Sequence, residues 1–352
     1  MSLYAYHRIA ENRYRERFGM DFEEFTPGMR FLHRPGVTLS QQDNVDEALD
    51  TLNAAMLHYD ANYASQTAWK RPLMVSTVTL QRLMGMSSKT FGRKRGMLRM
   101  QEIAMTGPVF GGDTLYAESE ILSLRPGGDA ATGEVGLRCR GVNQEGTEVA
   151  RISFDLAVWK RGCSPEERSG GSDAGEPVAE ARFAMHRRLE DGGLMEQVGL
   201  FFEDCNAGET FVHWPRRTML REEGMEHACR SLELSPQYHD LDWMQRHGEP
   251  FRFTEGWIIG AVTAMTTRTF GRVVANLGWT DVEFGKPVSS GDTMEAESTI
   301  LDKRESKSRP NEGIISVETR AFNQYGQKLL SYRRKLLVYK RDADTPYAKA
   351  GY

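Results

Sequence analysis

What this sequence has little of narrows its chemistry first. Cysteine occurs only four times in 352 residues, at Cys139, Cys163, Cys205 and Cys229. These are widely scattered, with no CxxC or CxxxH spacing, so free thiols are expected and no metal. Long apolar runs are missing as well. The longest uncharged one, Gly256 to Met265, is far short of the roughly 20 residues that a membrane helix needs. Neither sign of charge dominates. There are 45 Lys and Arg against 49 Asp and Glu, a net charge of -4, so nothing pulls the whole chain toward nucleic acid. The opening MSLYAYHRIAENRYRERFG is polar and lacks an apolar signal core. The expectation is a cytoplasmic protein with no nucleic-acid or membrane partner. Hydrophobic residues make up 39%, enough for a sizeable core.

What is present is a sequence written twice. FEEFTPG from Phe22 returns as FEDCNAG from Phe202, and MSSKTFGR from Met86 as MTTRTFGR from Met265. GDTLYAESEIL from Gly112 returns as GDTMEAESTIL from Gly291, and VNQEG from Val142 as FNQYG from Phe322. Order is kept and the shift stays at 179 or 180 residues, which means duplication of a whole domain rather than a short solenoid repeat.

Each copy has the same grammar. An extended segment (MRFLHRPGVTLS; ETFVHWPRRTML) leads into an acidic amphipathic stretch. In the first copy this is DNVDEALDTLNAAMLHYD, with Val45, Leu49, Leu52, Met56 and Leu57 near helical spacing. A buried helix over Val75 to Met86, or Gly256 to Met265, comes next. Alternating apolar strands follow, with the NQxG segments at hairpin turns, because Asn and Gly tolerate positive φ. A sheet wrapped around a central helix buries both. The predicted division is a first repeat over 1–161, a Gly/Ser/Pro-rich linker over 162–195, a second repeat over 196–341 and a tail over 342–352. The first dozen residues and the tail are expected to be peripheral.

Helix-in-sheet halves, GDT before a long strand and the NQxG hairpins together resemble the hot-dog fold. VANLGWTDVEF from Val274, GDTMEAESTILDKRESKSRPNEG from Gly291 and TLNAAMLHYDANYA from Thr51 narrow this further. They resemble the MaoC-type double hot-dog enoyl-CoA hydratases, in particular the mesaconyl-CoA hydratase (β-methylmalyl-CoA dehydratase) branch. The resemblance implies an α+β double hot-dog whose two repeats share one continuous sheet. It implies a hydro-lyase acting on an acyl-CoA, with coenzyme A as part of the substrate and no other cofactor, in a homo-oligomer. The broad hydratase motif is Asp-x-Asn-Pro-x-His. Here the string is Asn53-Ala54-Ala55-Met56-Leu57-His58, which keeps the histidine and replaces the acid. The second copy offers Glu233, Pro236 and His239, with the histidine displaced by one.

Hydration of an α,β-unsaturated thioester needs a base for water and a holder for the charge on the thioester oxygen. His58 suits the first task, with Asn53 or Asp60 to orient the water or the imidazole. Helix-start amides at Ser76 and Thr77 suit the second. The competing reading of His58 is a hydrogen-bonded core histidine. For Glu233 and His239 it is a degenerate copy, or an acid/base split between the halves. Arg71 is the candidate for a substrate carboxylate. Arg93, in a cluster with Lys94 and Arg95, is the candidate for coenzyme A phosphates. Rival functions are a hot-dog acyl-CoA thioesterase and a non-catalytic acyl-CoA-binding protein.

Overall fold

A computed structural model of the chain describes residues 3–168, 175–233, 235–341 and 343–349. In the first half a hairpin of β1 (Tyr6–Ala10) and β2 (Arg13–Glu16) precedes β3 (Arg30–Thr38). Four helices follow: α1 (Gln41–Asp50), α2 (Ala61–Gln66), α3 (Ser76–Met86) and α4 (Ser88–Phe91). Then comes a meander of β4 (Lys94–Met105), β5 (Thr114–Pro126), β6 (Thr132–Val142) and β7 (Glu148–Trp159), closed by the short α5 (Pro165–Arg168). The second half repeats the plan. It runs β8 (Glu176–Pro177), β9 (His186–Arg188), β10 (Leu194–Glu196), β11 (Thr210–Val212) and β12 (Arg217–Thr218). After these come α6 (Arg221–Arg230), α7 (Leu241–His247), α8 (Glu255–Met265) and α9 (Thr267–Phe270). The strands β13 (Val273–Phe284), β14 (Thr293–Glu305), β15 (Glu312–Phe322) and β16 (Lys328–Tyr339), then α10 (Pro346–Lys349), complete it.

Each meander wraps its central helix, as the repeat grammar predicts. Val78, Thr79 and Leu83 of α3 are buried. Leu83 and Phe91 join Ile121, Leu137, Ile152 and Phe154 in one core. Ile258, Ala261, Val262 and Met265 of α8 do the same in the second half. The recurrent motifs lock each hairpin to its neighbour. Asn143 Oδ1 accepts from the Glu145 and Thr147 amides, and Gly146 turns the chain at φ 77. Gln144 then reaches back, accepting from the Thr114 amide and donating to Asp113 of the GDT segment. Gln324 accepts from the Thr293 amide in the same way.

The expectation of one continuous sheet is corrected: there are two sheets. One runs β4-β7-β6-β5-β3-β10-β9, and the other β13-β16-β15-β14-β11-β2-β1-β8 with β12 beside β14. The hairpins explain why. β10, from the second repeat, lies parallel to β3 of the first, while β2 lies parallel to β11 of the second. Each repeat thus lends its leading hairpin to the other's sheet, and these hairpins occupy the inner edges. The first dozen residues are therefore not peripheral, since Leu3 and Tyr6 are buried. The segment expected to be linker also holds strands from Glu176 onward. Its residues 169–174 lie outside the described residues, as do 342 and 350–352 of the tail.

Buried polar clusters bind the exchanged hairpins. His33 contacts Glu196 of β10 (Nδ1 to Oε1, 3.0 Å) and Ser119 (Nε2 to Oγ, 2.8 Å). Thr90 donates to the same Glu196 at 2.5 Å. The second cluster has the same design: His213 contacts Glu16 at 3.2 Å and Ser298 at 2.8 Å, and Thr269 donates to Glu16 at 2.5 Å. Burial raises the cost of charge on Glu196, yet His33 and Lys89 hold its carboxyl down at about 2.

Candidate active site

The acidic stretch does not form one helix. α1 ends at Asp50, and Leu52 turns the chain at φ 56. Leu49, Leu52 and Met56, expected on a buried face, are exposed; α1 buries Asn44 and Ala48 instead. A 3-10 turn over Met56–His58 and the short α2 follow.

Asn44 organises what lies around this turn. Its Nδ2 donates to the carbonyls of His58 (2.8 Å) and Leu73 (3.0 Å), and its Oδ1 accepts from the Val75 amide (2.7 Å). Gln41 Nε2 also donates to the His58 carbonyl, at 2.7 Å. One buried amide thus ties the histidine turn to the start of α3. Sequence reasoning missed Asn44, because a single Asn inside a charged helix carries no motif.

His58 is half-buried, and its Nδ1 lies 2.7 Å from the Leu73 carbonyl. A carbonyl only accepts, so Nδ1 carries the proton and the neutral ring presents Nε2 as a base. The orienting group is therefore Leu73, neither Asn53 nor Asp60. Asn53 Oδ1 accepts from the Ala55 amide, and Asp60 caps α2 by accepting from the Tyr63 amide. Two residues past Leu73 the chain enters α3 at Ser76. No side chain caps this helix start, and the N–H groups of a first turn have no partner within the helix. Ser76 and Thr77 are exposed, and the Thr77 hydroxyl donates to Glu47. Leu73 bridges to Phe110, and the Arg71 guanidinium lies 3.8 Å over the Phe110 ring. Exposed Trp69 leans on the same ring, so an apolar lip with one cation adjoins the histidine.

The second half is built differently at each of these points. Tyr238 stands where His58 does, buried, with its hydroxyl 3.3 Å from Glu255. Gly224 replaces Asn44, and Phe251 and Phe253 pack where a side chain would go. Thr254 caps α8 through the Trp257 amide, and Glu255 replaces Ser76. A helix start that carries its own carboxylate repels a second anion. Glu233 accepts from Ser235, whose side chain and amide hold its carboxyl below the usual range. His239 follows the 3-10 turn, and its Nε2 is buried without a hydrogen bond among the described residues.

Arg93 is placed otherwise than expected. It is buried between Asp21 and Glu167, each at 2.6 Å, which neutralise it, so it does not serve coenzyme A phosphates. Its neighbour Arg95 pairs with Asp129.

Comparison with known proteins agrees with this repeat structure. Residues 22–141 match a family model described as MaoC like domain, and residues 182–349 match one described as mesaconyl-CoA hydratase. The first repeat thus resembles MaoC-like domains and the second resembles the mesaconyl-CoA hydratases. It is 35% identical over 164 residues to the mesaconyl-CoA hydratase of Cereibacter sphaeroides, covering 44% of this chain and 45% of that protein. It is 27% identical over 158 residues to the beta-methylmalyl-CoA dehydratase of Chloroflexus aurantiacus, covering 42% of each. These matches span less than half the length of the curated relatives. A Mycobacterium tuberculosis protein described as having a double hot-dog fold aligns over 91% of this chain and 99% of its own, at 22% identity and a TM-score of 0.38. The fold is α+β with two hot-dog repeats, by its own topology. No helix among the described residues is long and apolar enough to cross a membrane.

Proposed function

We propose that this chain is a cytoplasmic hydro-lyase interconverting mesaconyl-CoA and β-methylmalyl-CoA, and that the first repeat carries the working site. The observation behind it is the tautomer of His58: Nδ1–H held by the Leu73 carbonyl, Nε2 left as base, beside the uncapped start of α3. In the hydration direction Nε2 takes a proton from water as its oxygen bonds to the β-carbon. The π electrons move to the thioester oxygen, and the Ser76 and Thr77 amides stabilise the resulting enolate. The proton on Nε2 then passes to the α-carbon, which completes the addition and restores the base. Coenzyme A enters only as part of the substrate. Arg71, exposed on its Phe110 platform, is suited to the free carboxylate that distinguishes mesaconyl-CoA from simple enoyl-CoA esters. Four free cysteines fit a reducing compartment.

Mixing the protein with mesaconyl-CoA should bleach the enoyl-thioester absorbance and yield a product heavier by one water, with crotonyl-CoA inert. His58→Ala should lower kcat at least about 100-fold with KM little changed. A His58→Ala enzyme of near wild-type rate, or release of free thiol instead of water addition, sinks the proposal.

Homo-oligomerisation is part of the proposal. The outer edge strand β4 exposes Met97, Leu98, Met100, Ile103 and Met105. Its counterpart β13 exposes Leu277, Trp279, Val282 and Phe284. Unpaired apolar edges of this length call for a partner strand. Light scattering should give a multiple of the chain mass, reduced to one chain by Ile103→Lys with Trp279→Lys. A monomeric wild type overturns it.

A further inference from the structure

The duplication provides an internal comparison away from the histidine turn. In the first repeat the surroundings of Arg17 and Arg93 are neutralised. Arg17 pairs with Asp21 and Glu24, and Arg93 with Asp21 and Glu167. The cavity beside them measures about 140 Å³. At the corresponding places in the second repeat Arg17 becomes Gln197, Arg93 becomes Arg272, Glu24 becomes Asp204 and Asp21 becomes Phe201. Glu167, after Pro165, has no acidic counterpart after Pro346, so the three acids of the first motif come down to one.

The consequence is visible in the matching cavity, which measures about 290 Å³. Seven Lys and Arg side chains line it, against two carboxylates; of the seven, Arg182 also pairs with Glu180 and Glu209, and Arg268 lies 3.7 Å from Glu16. Asp204 is engaged by Arg341, and Glu16 sits in the buried His213 cluster. Arg272 stacks 3.8 Å over Phe201 and donates to Gln197 Oε1 and the Gly199 carbonyl. Lys89 donates to the Gln197 carbonyl. Burial, opposed by Glu196 and assisted by Arg268 and Arg272, lowers Lys89 to about 8. Nη1 of Arg268 is buried with no hydrogen-bond partner among the described residues. An entering anion is attracted by each of these cations.

We propose that this cavity between the repeats binds one compact polyanion, of the phosphate or carboxylate class, per chain. It is distinct from the candidate active site. Lys89 and Arg268 follow the C-terminal ends of α3 and α8, whereas His58 adjoins the N-terminal end of α3, and an 11-residue helix spans roughly 16 Å. The inference therefore stands whether or not the hydratase reading does.

The test is calorimetric titration of the full chain with inorganic pyrophosphate and with citrate at constant ionic strength. One-to-one binding is expected, by pyrophosphate for a phosphate site, by citrate for a carboxylate site, or by both. Phe201→Asp restores the acid present in the other repeat and should weaken binding at least tenfold. Arg187→Ala, at the exposed rim, should weaken it several-fold and serves alone if Phe201→Asp does not fold. His58→Ala should bind as wild type does. No binding of either probe at millimolar concentration, undiminished binding in the variants, or loss of binding in His58→Ala overturns the proposal.

Discussion

At the scale of single residues, the two repeats differ by a few side chains that decide where an anion can sit. Ser76 and Glu255 occupy the same first position of the central helix, yet one leaves the helix start open and the other fills it with charge. Asn44 and Gly224 form a similar pair. Asn44→Ala would leave the Val75 amide without its partner and take one of two donors from each of the His58 and Leu73 carbonyls, a cost of about 2–3 kcal/mol for buried polar groups. It should also loosen His58, so kcat should fall about tenfold while the protein still melts cooperatively. A melting temperature and kcat both unchanged would show that Asn44 is not the clamp. His58 stood out in the sequence because it sits in a string with a known pattern, and Ser76 because it opens the apolar helix. Arg93 was misread because Asp21 and Glu167 are far from it along the chain. Neighbours in sequence made it look like a surface cluster, and neighbours in space make it a buried ion pair.

At the scale of elements, the helix periods and turn motifs were readable, and the hairpin exchange was not. The central helices start within one residue of their expected limits, because apolar spacing reports directly on a helix packed against a sheet. The NQxG turns were also legible, since Asn, Gln and Gly each do a local job there. Short strands such as β2 and β10 carry too few residues to show alternation, and which edge they choose depends on partners far off in sequence. Close packing at repeated positions checks the arrangement. A Cβ on Gly133 would lie 2.3 Å from the Phe22 ring, and one on Gly313 would lie 2.3 Å from Phe202. Gly133→Ala should cost about 1–3 kcal/mol, read by urea unfolding, because the ring must move from a filled core. An unchanged midpoint would mean the ring has another place to go.

At the scale of the whole molecule, the buried clusters make folding sensitive to acid. His186 is buried beside Thr90 and Phe31, and burial lowers it to about 3 from an ordinary 6.5. It is neutral in the fold. Between those values the unfolded chain takes up a proton that the folded chain refuses, so stability falls as pH drops from 6.5 toward 3. Glu196, held at about 2, adds a loss of the same sign below its ordinary 4.5. Tyr6 is the counterpart of His186 and hydrogen-bonds Thr269. His186→Tyr should therefore move the acid-unfolding midpoint to lower pH, seen by circular dichroism. A midpoint that stays or rises would assign the acid sensitivity elsewhere.

The exchanged hairpins also bear on how such a gene can change. Each half completes the other's sheet, so neither can be discarded without exposing an edge in its sibling. Selection on catalysis can relax in the half whose helix start is already closed, while selection on folding keeps every strand of it. Duplication here has become irreversible. Change in the second half has to leave its strand pairing intact.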